Sequence, residues 1–205
     1  MKLISLFVTT LLMANASFAE KKIKMYFKNE ELIKVIELYS KASGQKFVID
    51  PGVRGKVSIF LQEPVSLEDS FNQLSSALAI NGFAISKQGD TMIIKSARNI
   101  QRDLIEVSTE RPSLKPERMF SWIYTPKYLS AGNLQREVRI LMSRDGEMVS
   151  YDSTNQLIFT DWVSNLNRVA DLMKELDKPI QPGTAKQIEG FKKEASQPSQ
   201  KKSEN

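Results

Sequence analysis

The 205-residue sequence contains no cysteine and no histidine. Without cysteine there is no disulfide framework, no thiol nucleophile and no thiolate metal ligand, so the folded parts must stand on apolar cores. Without histidine the Ser-His-Asp triad and the usual zinc sites fall away. No Asp-rich loop with calcium-binding spacing is present either. One long apolar run exists, Leu3 to Ala14 after Lys2, followed by Ala16-Ser17-Phe18-Ala19. It is too short to span a bilayer comfortably and has the small residues of a cleavage site. Residues 1–19 are therefore predicted to be a secretory signal peptide, cut after Ala19. The absence of cysteine also excludes lipid attachment at the new N-terminus. An exported chain without cysteine suits a bacterial periplasm.

Charge is unevenly placed. The chain carries a formal net charge of +5, but the stretch from Lys178 to Asn205 holds six Lys against three Glu. The remainder after the signal segment is close to neutral. A high pI that sits mainly in a polar tail is no argument for a nucleic-acid face, which needs its charge on folded structure.

The stretch Phe27 to Leu61 organises the first half. Leu32, Val35, Ile36 and Tyr39 recur at helical spacing, with Asn29 expected as N-cap and Gly44 as left-handed stop. Phe47-Val48-Ile49 reads as a strand, Asp50-Pro51-Gly52 as a turn, and Lys56 to Leu61 as a strand with Val57, Ile59 and Leu61 on one side. Ser66-Leu67-Glu68-Asp69 is a capping-box start to a second helix, with Leu67, Phe71, Leu74 and Leu78 on one face and Asn81-Gly82 as its end. Phe83 to Lys87 and Thr91 to Lys95 then form a hairpin about Gln88-Gly89-Asp90. The predicted order is βαββαββ over residues 20–97.

Residues 98–118 are polar and broken by Pro112 and Pro116, and read as a linker with a short strand at Leu104 to Val107. The second half, 119–178, opens on a strand, Met119 to Tyr124, whose alternate aromatics Phe120, Trp122 and Tyr124 mark a core side. A helix capped by Ser130 carries Leu134, Val138 and Leu141. Asp145-Gly146 turns into paired strands, Met148 to Tyr151 and Leu157 to Thr160, and a last helix runs from about Trp162 to Asp177. The order is βαββα. From Pro179 to Asn205 the chain has only Ile180, Ile188 and Phe191 as large apolar groups, and is expected to be disordered. The fold class is α+β, two small mixed domains.

Three patterns suggest chemistry and are better explained by structure. Ser43-Gly44-Gln45-Lys46 has S-x-x-K spacing, but it straddles a helix end and a strand start, where no helical turn stacks the two side chains. Gly52-Val53-Arg54-Gly55 is a G-x-x-G, a nucleic-acid clamp when it joins helices. Here it joins strands, so a tight turn is the simpler reading. Lys192-Lys193 and Lys201-Lys202 are solvated tail charge rather than a lipid or peptidoglycan site.

A family resemblance covers both halves. Gly44, Phe47 to Ile49, Asp50, Pro51, Val53, Gly55, Val57 and Ser58 resemble the first periplasmic domain of bacterial secretins, a type also found in some TonB-dependent receptors. The segment from Val65 to Ile85 is similar to that domain's second helix and following strand. Tyr124 to Ala131 and the pattern Asp152, Asn155, Leu157, Ile158, Thr160, Asp161 resemble the next secretin domain, with a KH-like fold. The resemblance runs from about Lys24 to Pro179 and implies docking and ring-packing modules. The long alternating strands of the channel-forming domain are not among the 205 residues, so no pore is expected of them alone.

The expected function is that of a non-enzymatic periplasmic component of a type II secretion or type IV pilus-like system. No catalytic, cofactor or metal residues are assigned, and neither nucleic acid nor a small molecule is an expected partner. The expected partners are an inner-membrane component or a secretin ring, with self-association through the second domain. Docking by strand addition would use a free sheet edge at Ile23, Lys24, Met25, Tyr26, Phe27 and Lys28, or at Lys56, Val57, Ser58, Ile59, Phe60 and Leu61. The alternatives are a signalling module of the TonB-receptor type, against which the second half argues, and a cell-wall-binding protein.

Overall fold

The computed structural model describes residues 21–102, 105–184 and 186–187. The expected signal peptide and most of the expected disordered tail lie outside them. Among the described residues no helix is long and apolar enough to cross a membrane.

The first unit contains β1 (Lys22–Ile23), β2 (Tyr26–Glu31), α1 (Leu32–Ser43), β3 (Lys46–Ile49), β4 (Lys56–Phe60), β5 (Val65–Ser66), α2 (Leu67–Ile80), β6 (Phe83–Gln88) and β7 (Thr91–Ser96). The two helices pack together and present Leu32, Val35, Ile36, Tyr39, Leu74 and Leu78 to a common core, closed by Ile59, Ile94 and Met25. Around it sit three small sheets instead of one. β3 lies parallel to β7, which pairs antiparallel with β6. β2 pairs antiparallel with β4, and β1 with β5.

Local chemistry explains the boundaries. Ser66 caps α2 as its sequence foretells: its Oγ accepts from the Asp69 amide and donates to the Asp69 carboxylate, both at 3.0 Å. Gly44 stops α1 at φ 76°, its N–H returning to the Ser40 carbonyl. Asn29 is not the N-cap of α1. It sits at φ 54° in a bulge of β2, with its N–H donated to Ser58 Oγ at 2.9 Å. The helix starts at Leu32, whose amide donates to the Gly55 carbonyl instead. A backbone acceptor from a distant turn does what a side-chain cap does elsewhere, and sequence spacing cannot foresee it.

The second unit contains β9 (Met119–Tyr124), α4 (Ala131–Val138), a 3-10 turn (Arg139–Leu141), β10 (Glu147–Tyr151), β11 (Gln156–Trp162) and α5 (Val163–Leu176). Its sheet has the order β10-β11-β9-β8, where β8 (Glu106–Ser108) lies parallel to β9. Both helices cover one face, burying Phe120, Trp122, Leu157 and Phe159 against Leu134, Leu166, Val169 and Met173. Trp122 meets its polar need by donating Nε1–H to the Thr109 carbonyl.

The stretch read as a linker is structured at its start and supplies an edge strand. Ser96 caps a single-turn helix α3 (Ala97–Ile100), and β8 belongs to the second sheet. Ala97 and Ile100 are fully buried with Ala84, Met119 and Trp162 in a small third core between the units. Arg98 of α3 and Gln101 just after it also donate to the carbonyls of Arg144 and Asp145. Polar composition hid this because a few apolar side chains, Ile100 and Ile105 among them, carry the packing. Beyond α5, residues 182–184 and 186–187 are helical and exposed, although the sequence from Pro179 reads as disordered.

Candidate interaction surfaces

The two strands proposed as alternative docking edges are hydrogen-bonded to each other. Tyr26 stands opposite Phe60 and Phe27 opposite Ile59, and the Leu61 amide extends the ladder to the Met25 carbonyl. Among the described residues no strand pairs with the outer edge of either, so each keeps one free edge. Strand alternation then sorts the twelve residues. Ile23, Met25 and Ile59 are buried in the core of the first unit, and Phe27, Val57 and Leu61 pack against it. Lys24, Tyr26, Lys28, Lys56, Ser58 and Phe60 are exposed.

The solvent side of this ribbon carries an aromatic pair. Tyr26 and Phe60 are each about half exposed, 51% and 56%, and their rings touch at a centroid distance of 5.5 Å. Lys24 and Lys28, two residues either side of Tyr26, are exposed as well, and Lys56 is exposed further along the ribbon, opposite Glu31. The bulge at Asn29 twists β2, which leaves β4 as the more regular of the two free edges.

In the second unit the face of the sheet away from the helices is only partly covered. Met119 and Trp162, at one end of that face, lie in the seam against α3 and the first unit. The strand registers place Val149, Ile158 and Ile123 in one row further along, and Val107 beside Ser121 and Thr160 in the row between. Val149 and Val107 are 47% and 57% exposed.

The motif residues of the second unit turn out to be locks for loops. Asn155, at φ 50°, accepts from the Ala131 amide at 2.8 Å and donates to the Pro126 and Leu129 carbonyls. It therefore supplies the side-chain cap of α4: Ser130 holds the N-cap position but makes no side-chain cap bond. Asp161 is fully buried and accepts from the amides of Ser143 and Trp162, the Ser143 hydroxyl and Asn165. Asp177 accepts from the amides of Lys127 and Tyr128 and from the Tyr124 phenol. Burial alone would raise its pKa, but these donors outweigh it and hold the carboxyl below the ordinary value. The Tyr124 phenol is pushed up, by burial first and then by its bond to that carboxylate.

The remaining chemical candidates are engaged in backbone structure. Ser43 Oγ donates to the Tyr39 carbonyl and accepts from the Gln45 amide, which makes it part of the helix end rather than a nucleophile. In the G-x-x-G, Val53 is buried in the first core and Gly52 N–H closes onto the Asp50 carboxylate at 2.7 Å, the arrangement of a tight turn. Among the described residues no group of three or more acidic side chains is placed to hold a metal ion. The half-buried Glu117 has its pKa raised by burial, and its carboxylate accepts from the Ser164 amide and hydroxyl at the start of α5.

Comparison with known proteins agrees with these two units. Residues 25–94 match the family described as the GspD-like N0 domain, and residues 121–182 match the bacterial type II/III secretion system short domain. The chain is similar to secretin XcpQ of Pseudomonas aeruginosa, with 25% identity over 151 residues, 74% of this chain and 22% of that protein. It is similar to secretin GspD of Vibrio cholerae, with 25% identity over 85% of this chain and 25% of that protein. The PilQ protein of Neisseria meningitidis, named for type IV pilus biogenesis and competence, is 23% identical over 82% of this chain and 23% of its own length. The chain thus spans about a quarter of the length of these relatives. In fold it is similar to a chain of the Klebsiella pneumoniae type II secretion outer membrane complex, with TM-score 0.67 and 20% identity over 76% of this chain and 27% of that one.

Proposed function

We propose a function for a chain that belongs, through both of its folded units, to the N-terminal domains of the bacterial secretins: it docks a partner and packs into a larger assembly, without catalysis, in the periplasm. The first unit receives a component of a type II secretion or type IV pilus-like machine. The observation that carries this reading is the exposed side of the β2–β4 ribbon, with its Tyr26–Phe60 pair, three lysines and free strand edges. An aromatic anchor ringed by polar groups is the usual form of a protein-binding surface, and a free edge adds main-chain hydrogen bonds. The Klebsiella complex of similar fold is described as containing PulD, PulS and a PulC HR domain, which supports a partner from the secretion machinery.

The second unit, on this reading, packs beside copies of itself or against a secretin ring. The partly exposed row Val149, Ile158 and Ile123 supports it, because a sheet face with apolar residues in line invites a second layer. The chain spans only about a quarter of its relatives, so these roles concern this portion and not a whole secretion channel.

The test is capture from a periplasmic extract with the tagged chain as bait, comparing wild type with the pair Tyr26→Ser and Phe60→Ser. Secretion or pilus components should be recovered by wild type and lost with the variant. Recovery of none by wild type, or equal recovery by both, overturns the docking role. Sedimentation velocity of wild type against Val149→Lys tests the packing role in the same way.

A further inference from the structure

The outer surface of α5 carries a groove of about 430 Å³ with an apolar floor, formed by Leu141, Val169 and Leu172 and bordered by Arg168, Asp171 and Glu175. Arg168 is fixed at one side: its guanidinium donates to the Leu141 carbonyl and to Asn165. Asp171 and Glu175 are four residues apart and so share one face of the helix. Their side chains remain 63% and 71% exposed although Arg111 and Lys178 reach them. The groove therefore offers apolar contact beside negative charge.

We propose that this groove is the docking site of the chain's own segment 188–193, which lies beyond the described residues. The occupant follows from chemistry and reach. From Pro179 onward the only large apolar side chains are Ile180, Ile188 and Phe191, and Phe191 is followed by Lys192 and Lys193. Ile188 and Phe191 are three residues apart, the spacing that puts two side chains on one side of a helix. The described helical residues 182–184 and 186–187 lead directly to them. Two apolar groups with two lysines, against the single Glu189, complement an apolar floor with two carboxylates.

Reach is ample. From the end of α5 at Leu176 back to Leu172 is about 6 Å along the helix, while the connecting residues can extend over roughly 30 Å. A tethered segment also meets the groove at an effective concentration on the order of millimolar, far above that of a separate copy.

The native absence of cysteine makes the test clean. Glu175→Cys with Gly190→Cys should form an intramolecular disulfide at a rate independent of protein concentration. That rate should exceed that of a Glu175→Cys, Ser199→Cys control by about tenfold, and adding Ile188→Asp and Phe191→Asp should abolish the difference. Equal rates in the two cysteine pairs, or disulfides only between separate chains, overturn the proposal; the second result would assign the groove to another copy. Circular dichroism of each variant establishes that the fold is retained. The outcome is independent of the docking role given to the first unit.

Discussion

The Tyr124 phenol donates to Asp177 Oδ2 across 2.7 Å, joining the end of the first strand of the second unit to the end of its last helix. The same carboxylate receives the Lys127 and Tyr128 amides. One side chain thus closes the unit's beginning onto its end. Removing it leaves three donors without their shared acceptor, and Asp177→Ala should lower the unfolding free energy by about 2–3 kcal/mol. Tyr124→Phe removes one bond only and should lower it by about 1 kcal/mol. Urea denaturation of the purified chain measures both.

The pH response follows from the same group. Asp177 has its folded-state pKa depressed, so its contribution to stability is present above the unfolded carboxylate value and is lost as pH falls below about 4. Glu117 acts in the opposite sense: its folded-state pKa is raised, so the folded chain takes up that proton first and gains relative stability as pH falls towards the carboxylate range. Unfolding measured from pH 7 to pH 2.5 should show the acid-side loss, and Asp177→Asn should flatten it. An unchanged acid limb in that variant would assign the loss to other carboxylates.

Asn155 combines a left-handed backbone with three side-chain hydrogen bonds. Asn155→Ala loses all three and keeps the Cβ at positive φ without the polar side chain that offsets it in Asn, for a total of about 3–4 kcal/mol. Asn155→Gly relieves the strain and should recover about 1 kcal/mol of that. The order wild type, Gly, Ala in urea midpoint is the expected result.

The seam between the units rests on Ile100, fully buried with Ala97, Met119 and Trp162. Ile100→Ala should cost about 2–4 kcal/mol. The more telling readout is cooperativity. Wild type should unfold in one transition, and Ile100→Asp should separate it into two. The two tryptophans report separately, Trp122 from within the second core and Trp162 from the seam.

Tyr26 and Phe60 stand outside the cores, so their loss should leave the fold intact. Each single change to Ser should alter stability by less than about 1 kcal/mol, with an unchanged circular dichroism spectrum. A larger loss would show that the pair supports the ribbon itself.

Much of this architecture is legible in the residues. The apolar faces of α1, α2 and α5 stand at helical spacing, Ser66 and Asp69 announce a capping box, and the alternation of Phe120, Trp122 and Tyr124 marks the side of β9 that packs under the helices. What sequence spacing missed are non-local bonds. The start of α1 depends on the Gly55 carbonyl and that of α4 on Asn155, each more than twenty residues away. Ser130 holds the N-cap position of α4 and Asn29 lies two residues before that of α1, but the capping bonds come from elsewhere. The pairing of β2 with β4 was hidden for a related reason. Two strands separated by a helix and a turn each look like a free edge until their register is known. Of the exposed surface only the alternation was readable, and it places Lys24, Tyr26, Lys28, Lys56, Ser58 and Phe60 outward.

The buried turn of α3 gives the molecule a fixed bearing. Ile100 is wedged against Met119 and Trp162, and Arg98 and Gln101 are fastened to the loop at Arg144 and Asp145, so the first unit is held to the second by both packing and hydrogen bonds. Copies arranged about an axis through their second units would then point every Tyr26–Phe60 pair to the same compass direction. A multivalent partner would meet a regular crown of identical contacts, and weak single engagements would sum to a tenacious grip.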